Sequence, residues 1–139
     1  MKIFIYILVS IVLLSSCSIT KRAMTLSVSD TNYRIKKIDK KNSWYIIYAE
    51  RKDTLFKIVS YAENNMNGNC KKIVVGGLYN FELKSKKETA PIIGGVKLDP
   101  VGYTGCYEFD NETTICLEPK RGIYDLFYTN DLKGICYLK

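Results

Sequence analysis

Three hydrophobic patterns follow one another along the chain. Residues from Ile3 to Leu14 are almost uninterruptedly apolar, those from Ser18 to about Asn32 are mostly polar, and from Tyr33 onward short runs rich in Tyr, Ile, Val and Phe alternate with polar turn residues. The third pattern is the strand-and-turn signature of an all-β domain. It predicts strands over residues 33–38, 43–50, 54–61, 71–75, 78–84, 103–109, 113–118, 123–128 and 135–138. A 3.6-residue period is convincing nowhere. Within 123–132, Ile123, Leu126 and Phe127 fit a short helix as well as a strand, and the strand ranks first.

Two of these runs carry finer information. Between Trp44 and Ala49 both alternating sets are apolar, Trp44, Ile46 and Tyr48 on one side and Tyr45, Ile47 and Ala49 on the other. Such a strand is covered on both faces and belongs in the middle of a sheet. From 78 to 84, Tyr79, Phe81 and Leu83 alternate with Asn80, Glu82 and Lys84, the order of a strand with one wet face. Arg51-Lys52-Asp53, Asn67-Gly68-Asn69, Gly76-Gly77 and Asp110-Asn111-Glu112 are the expected hairpin tips. Pro91, Gly94-Gly95 and Pro100 mark 85–102 as a long connection between a front and a back half. The expected fold is mainly β, a single small domain of short antiparallel strands, built as a partly open barrel or a sandwich. The stretch from Trp44 to Lys84, with its meander and Gly76-Gly77-Leu78-Tyr79 step, resembles the front of an oligonucleotide/oligosaccharide-binding barrel.

The first residues place the domain. Met1-Lys2, the apolar run and Ser15-Ser16-Cys17 follow the charged, apolar, small order of an export signal. About a dozen apolar residues are too few to cross a bilayer, which takes roughly 20. Leu14-Ser15-Ser16-Cys17 resembles the lipobox of bacterial lipoproteins. The resemblance covers the first 17 residues and implies cleavage between Ser16 and Cys17, with diacylglycerol on the Cys17 thiol and an acylated amino terminus. Two or three acyl chains, at about 0.8 kcal/mol per buried CH₂, anchor a protein stably where one is marginal. The chain then divides into a signal peptide, 1–16, a lipidated end and tether, 17–32, and a β-rich domain, 33–139. As a whole it resembles small envelope lipoproteins of Gram-negative bacteria, which supplies a location and no activity. Ser18-Ile19-Thr20-Lys21 carries neither an acidic inner-membrane retention residue nor an acidic surface-export cluster, so the outer membrane is expected, on its periplasmic side.

Charge changes the picture little. There are 21 basic and 14 acidic residues, and loss of Lys2 with the signal leaves 20 minus 14, or +6. This sign suits anionic headgroups, acidic glycans or nucleic acid, and an exported compartment argues against the last. The basic residues fall in scattered pairs, as at strand ends.

Histidine is absent. That removes Ser-His-Asp and Cys-His catalysis within the chain, and every zinc site that needs imidazole. Besides Cys17 there are Cys70, Cys106, Cys116 and Cys136, with no Cys-x-x-Cys pair, so no metal or cofactor is expected. Four cysteines in an exported domain are ordinarily two disulfides, with three possible pairings, the alternative being packed free thiols. If the turn after Phe109 takes three residues, Cys106 faces Cys116, which favours the pairs Cys106–Cys116 and Cys70–Cys136. Glu108, Asp110, Glu112, Glu118 and Asp125 are near enough in sequence to suggest a two-carboxylate glycosidase. Turn placement of Asp110 and Glu112 and outward faces for Glu108 and Glu118 are the simpler assignment. Ser18-Ile19-Thr20-Lys21 spells the Ser-x-x-Lys of some penicillin-binding enzymes, but inside a tether, and Asn111-Glu112-Thr113 spells a glycosylation sequon.

Eleven tyrosines and Trp44 are ordinary in strands and are also what sugar- and protein-binding surfaces use. The expected function is therefore a membrane-anchored, non-enzymatic binding or structural module with a protein or glycan partner. An inhibitor or immunity-type protein against an exported enzyme or toxin is the first alternative, and a small carboxylate hydrolase the second.

Overall fold

The computed structural model describes residues 31–63, 70–97 and 105–139. The expected signal peptide, Cys17, most of the expected tether and the expected Asn67-Gly68-Asn69 turn lie outside them. Among the described residues thirteen strands follow in order: β1 (Tyr33–Lys41), β2 (Trp44–Arg51), β3 (Thr54–Tyr61), β4 (Lys71–Lys72), β5 (Leu78–Tyr79), β6 (Lys84–Ser85), β7 (Ile92–Ile93), β8 (Val96–Lys97), β9 (Cys106–Asp110), β10 (Thr113–Cys116), β11 (Phe127–Tyr128), β12 (Leu132–Lys133) and β13 (Cys136–Tyr137). A 3₁₀ turn at Pro119–Arg121 interrupts the second half. Six strands, in the order β5-β1-β2-β3-β11-β6, form a curled open sheet, a half-barrel. Three smaller sheets, β9–β10, β12-β13-β4 and β7–β8, complete the mainly β domain.

The long strands form where the chain alternates for longest. β1 and β2 close over Asn42-Ser43, and β2 and β3 over Lys52-Asp53, whose φ angles of 49° and 59° are both left-handed. Positive φ at both central residues is the turn geometry that follows the twist of a hairpin. β2 is third of six, with Ile46, Ile47, Tyr48 and Ala49 all buried, so both of its faces are covered. Ile47, Ala49 and Ile58 join Tyr33, Ile35, Ile73, Tyr79, Phe81 and Leu132 in one core. Ile46, Tyr48 and Val59, pointing the other way, join Tyr107, Ile115, Ile123 and Leu126 in a second.

Four expectations are corrected. The run 78–84 is not one strand: β5 pairs with β1 at one end and β6 with β11 at the other, and Asn80–Leu83 cross between them. Its alternation survives, since Tyr79 and Phe81 are buried and Asn80 and Glu82 exposed. The connection after Ser85 contains a hairpin, β7–β8, turning on Gly94 and Gly95 at φ 59° and 81°. The strand expected over 123–128 shrinks to Phe127–Tyr128, and Phe127 pairs in parallel with Ile58, so the sheet is not wholly antiparallel. The β9–β10 turn takes two residues rather than three. Asp110 pairs with Thr113, and a bulge at Phe109 then restores the facing of Cys106 and Cys116.

Candidate functional site

At one end of the central hairpin, aromatic rings collect around a cleft of about 460 Å³. Trp44, the first residue of β2, pairs across the sheet with Tyr61, the last of β3, and their rings meet edge-on at 5.1 Å. Phe109 lies against the same indole, with centroids 4.7 Å apart. A bulge bends its strand and re-aims the side chain there, and this one falls on Phe109. Tyr128, at the end of β11, forms another wall. Lys86 spans them, with Nζ 5.2 Å from the Phe109 ring and 5.6 Å from the Tyr128 ring. Ser60, Thr89 and Thr129 add hydroxyl-bearing side chains to the lining.

The indole is held in place. Trp44 Nε1 donates to Asp110 Oδ2 at 2.7 Å, and the Glu112 amide donates to the other carboxylate oxygen at 3.0 Å. Hydrogen bonds from Thr113 and then from Trp44 hold the Asp110 carboxyl below its ordinary value. Tyr61, by contrast, is 48 % exposed, so it offers an open ring beside a fixed one. Chemically this is a stacking surface with a cation on its rim, suited to the face of a sugar ring or to a flat apolar group. A smaller recess of about 360 Å³ opens beside Cys70 and Cys136, with Tyr45 as the one aromatic residue in its lining.

Behind the cleft, the second core contains a buried ionic cluster. Lys57, 4 % exposed, lies among Ile58, Val59 and Ser60 in the middle of β3. Its Nζ donates to Glu118 Oε1 at 2.5 Å and to the Cys116 carbonyl at 2.7 Å. Tyr48 Oη donates to the same Glu118 oxygen at 2.6 Å, and Arg121 Nη1 to Oε2 at 2.7 Å. Burial works against the Glu118 anion, but the hydrogen bonds from Lys57, Tyr48 and Arg121, with the Lys57 charge, bring its pKa down to about 2. Burial and the bond to Glu118 push Tyr48 up to about 12. Both carboxylate oxygens are thus bound by donors from three separate places in the chain, which fastens β10 and the 3₁₀ turn onto β2 and β3.

Glu118 is the main correction among the residues singled out from sequence. It does not share the outward face of Glu108. The side chain is 25 % exposed and turned into the second core. β10 ends at Cys116, and Glu118 begins the turn through Pro119, bridging back to Ile123, so strand alternation no longer sets its direction. Glu108 is exposed on β9 opposite Thr114. Asp125 accepts a hydrogen bond from Ser85 Oγ and receives the Leu126 amide at 2.8 Å. Asp110, Glu118 and Asp125 are thus each held by different donors, while Glu108 and Asp110 line one shallow recess beside the β9–β10 turn. Asn111 of the sequon is in the β9–β10 turn. Cys106 is joined to Cys116 and Cys70 to Cys136. Among the described residues no group of three His, Cys, Asp or Glu could hold a metal ion, and no helix is long and apolar enough to cross a membrane.

The sequence did contain a signal for the buried cluster. A lysine inside Leu55-Phe56-Lys57-Ile58-Val59, a run apolar on both sides, needs an anion from elsewhere in the chain. No protein-family model, no curated protein and no solved structure matches the chain.

Proposed function

We propose that the chain is a lipid-anchored envelope protein that binds a partner rather than transforming one, and that the cleft between Trp44, Tyr61, Phe109 and Tyr128 is its recognition site for a glycan. One observation carries this reading. Four aromatic residues from β2, β3, β9 and β11 converge on an open cleft with hydroxyl side chains and a lysine in its walls. The apolar face of a sugar ring can stack on such aromatic faces, which bury large apolar area while their edges stay wet. Lys86 adds a preference for acidic sugars. The chain itself would be held at the outer membrane, facing the periplasm, by acyl groups on Cys17.

Each half of the proposal has its own test. Cys17→Ala should abolish acylation and release the protein from membranes, with intact mass as the readout; an unmodified Cys17 or an uncut Met1 in membrane-extracted protein would defeat the anchoring. Protease shaving of whole cells should leave the domain intact. For the cleft, a photo-crosslinking residue in place of Tyr61 should yield glycan adducts in intact cells. Adducts to an exported enzyme instead would favour the inhibitor reading.

A further inference from the structure

β7 and β8 pair with each other and with no other strand among the described residues. Ile92 is 69 % exposed, Ile93 64 % and Val96 65 %. Successive strand residues point to opposite faces, so exposure of both Ile92 and Ile93 means that neither face of this hairpin is covered. Its tip is Gly94-Gly95, which has no side chains and adds no polar group. Three large aliphatic side chains exposed on one short hairpin are unlike the scattered single apolar residues of an ordinary surface.

The composition identifies what covers them. Protein interfaces are enriched in aromatic residues, Met and Arg, whereas Pro91 to Val96 contains only Pro, Ile, Gly and Val. The flank before it is basic: between 84 and 90 the chain carries Lys84, Lys86 and Lys87 against Glu88. Aliphatic residues bordered by cations are how a peripheral element enters the boundary between headgroups and acyl chains of an anionic bilayer. We infer that the β7–β8 hairpin inserts Ile92, Ile93 and Val96 into an anionic lipid surface. An acyl anchor on Cys17 would hold the domain at the membrane without itself setting the domain's orientation. The hairpin would fix it. Thr89 of the cleft wall is three residues from Ile92, so insertion would also hold the aromatic cleft close to the bilayer.

The inference does not depend on what the cleft binds, nor on acylation. The full chain as cells process it is reconstituted on vesicles of phosphatidylglycerol and phosphatidylethanolamine containing brominated acyl chains. Trp44 is the sole native tryptophan and sits in the domain, so the unsubstituted protein provides the background. Ile93→Trp should place an indole within the quenched layer and lose about half of its added emission. Val96→Trp should do the same, and either variant serves if its circular dichroism matches the parent. The quenching should fall when phosphatidylcholine replaces phosphatidylglycerol. Added indoles that are not quenched on anionic vesicles would overturn the proposal, as would shielding that appears only when a second envelope protein is added.

Discussion

The two faces of β2 and β3 come from the same two strands yet are covered by different chemistry. On one face Tyr33, Ile35, Ile47, Ile58, Phe81 and their neighbours form an apolar core, tightened by ring pairs such as Tyr33 against Phe56 at 5.2 Å. On the other, a smaller apolar core surrounds Lys57 and is closed by Glu118, Tyr48 and Arg121. On the first face the Tyr79 hydroxyl accepts a hydrogen bond from the Val74 amide, and Tyr45 lines the recess beside Cys70 and Cys136. The second holds a hairpin and a turn in place through directional bonds. The Trp44 end of the sheet, where that hairpin meets the strands, is where the aromatic cleft opens. The difference separates two jobs: burial drives folding in general, while the ionic cluster specifies which segment lies where.

The ionic face is most sensitive at Glu118. Glu118→Ala leaves the Lys57 ammonium buried without its anion and should cost about 3–5 kcal/mol, measured by denaturant unfolding. The double variant Lys57→Met, Glu118→Leu should recover most of that stability. Its hairpin should then be less firmly placed, with faster amide exchange in β9 and β10. If the double variant were as unstable as Glu118→Ala, the cluster would not be acting as an uncompensated charge.

On the apolar face, Ile58→Ala should cost about 2–5 kcal/mol through lost burial and a residual cavity. It should leave the pH dependence of stability unchanged, because no titrating group of the cluster lies in that core. The disulfides come next. Non-reducing peptide mapping should find Cys70 linked to Cys136 and Cys106 to Cys116, and reduction should cost about 2–4 kcal/mol per bridge without unfolding a β domain of this length. Four free thiols in protein purified without reductant would contradict this.

The ionic face should also respond to acid, through titration of the cluster. The Glu118 pKa is depressed in the folded state, from 4.5 to about 2. A depressed carboxylate contributes stability that is fully present above the unfolded pKa and is lost as pH falls through the folded one. Stability should therefore decline between about pH 4.5 and pH 2, and Glu118→Gln should flatten that decline relative to the parent. An unchanged slope in the Gln variant would place the acid sensitivity elsewhere.

Sequence pattern alone revealed the apolar face well. The double alternation of Trp44 to Ala49 identified the central strand, because a residue's side of a long strand follows from parity. What it missed depends on contacts distant in the chain. Glu118 reaches Lys57 across 61 residues, and nothing local to Pro119 indicates that it turns inward. The run 78–84 looked continuous because its alternation is real, but its two ends, β5 and β6, pair with β1 and β11 and form opposite edges of the sheet. β7 and β8 are only two residues each, too short for a period to show, although Ile93-Gly94-Gly95-Val96 spells a tight hairpin. The cleft was visible only as its parts. Trp44 and the tyrosines stood out as candidates, but the bulge that brings Phe109 to Trp44 belongs to a register that the sequence leaves open.

Trp44, the single tryptophan of the chain, reports directly on the aromatic cleft. Its emission should be followed while soluble fragments of envelope glycans, acidic and neutral, are added to the native protein, to Tyr61→Ala and to Lys86→Ala. The expected result is a saturable change, about 3- to 10-fold weaker in Tyr61→Ala, with Lys86→Ala weakening the acidic fragments selectively. Emission that does not respond to any fragment, or that responds equally in all three proteins, would contradict a glycan site between Trp44 and Tyr61.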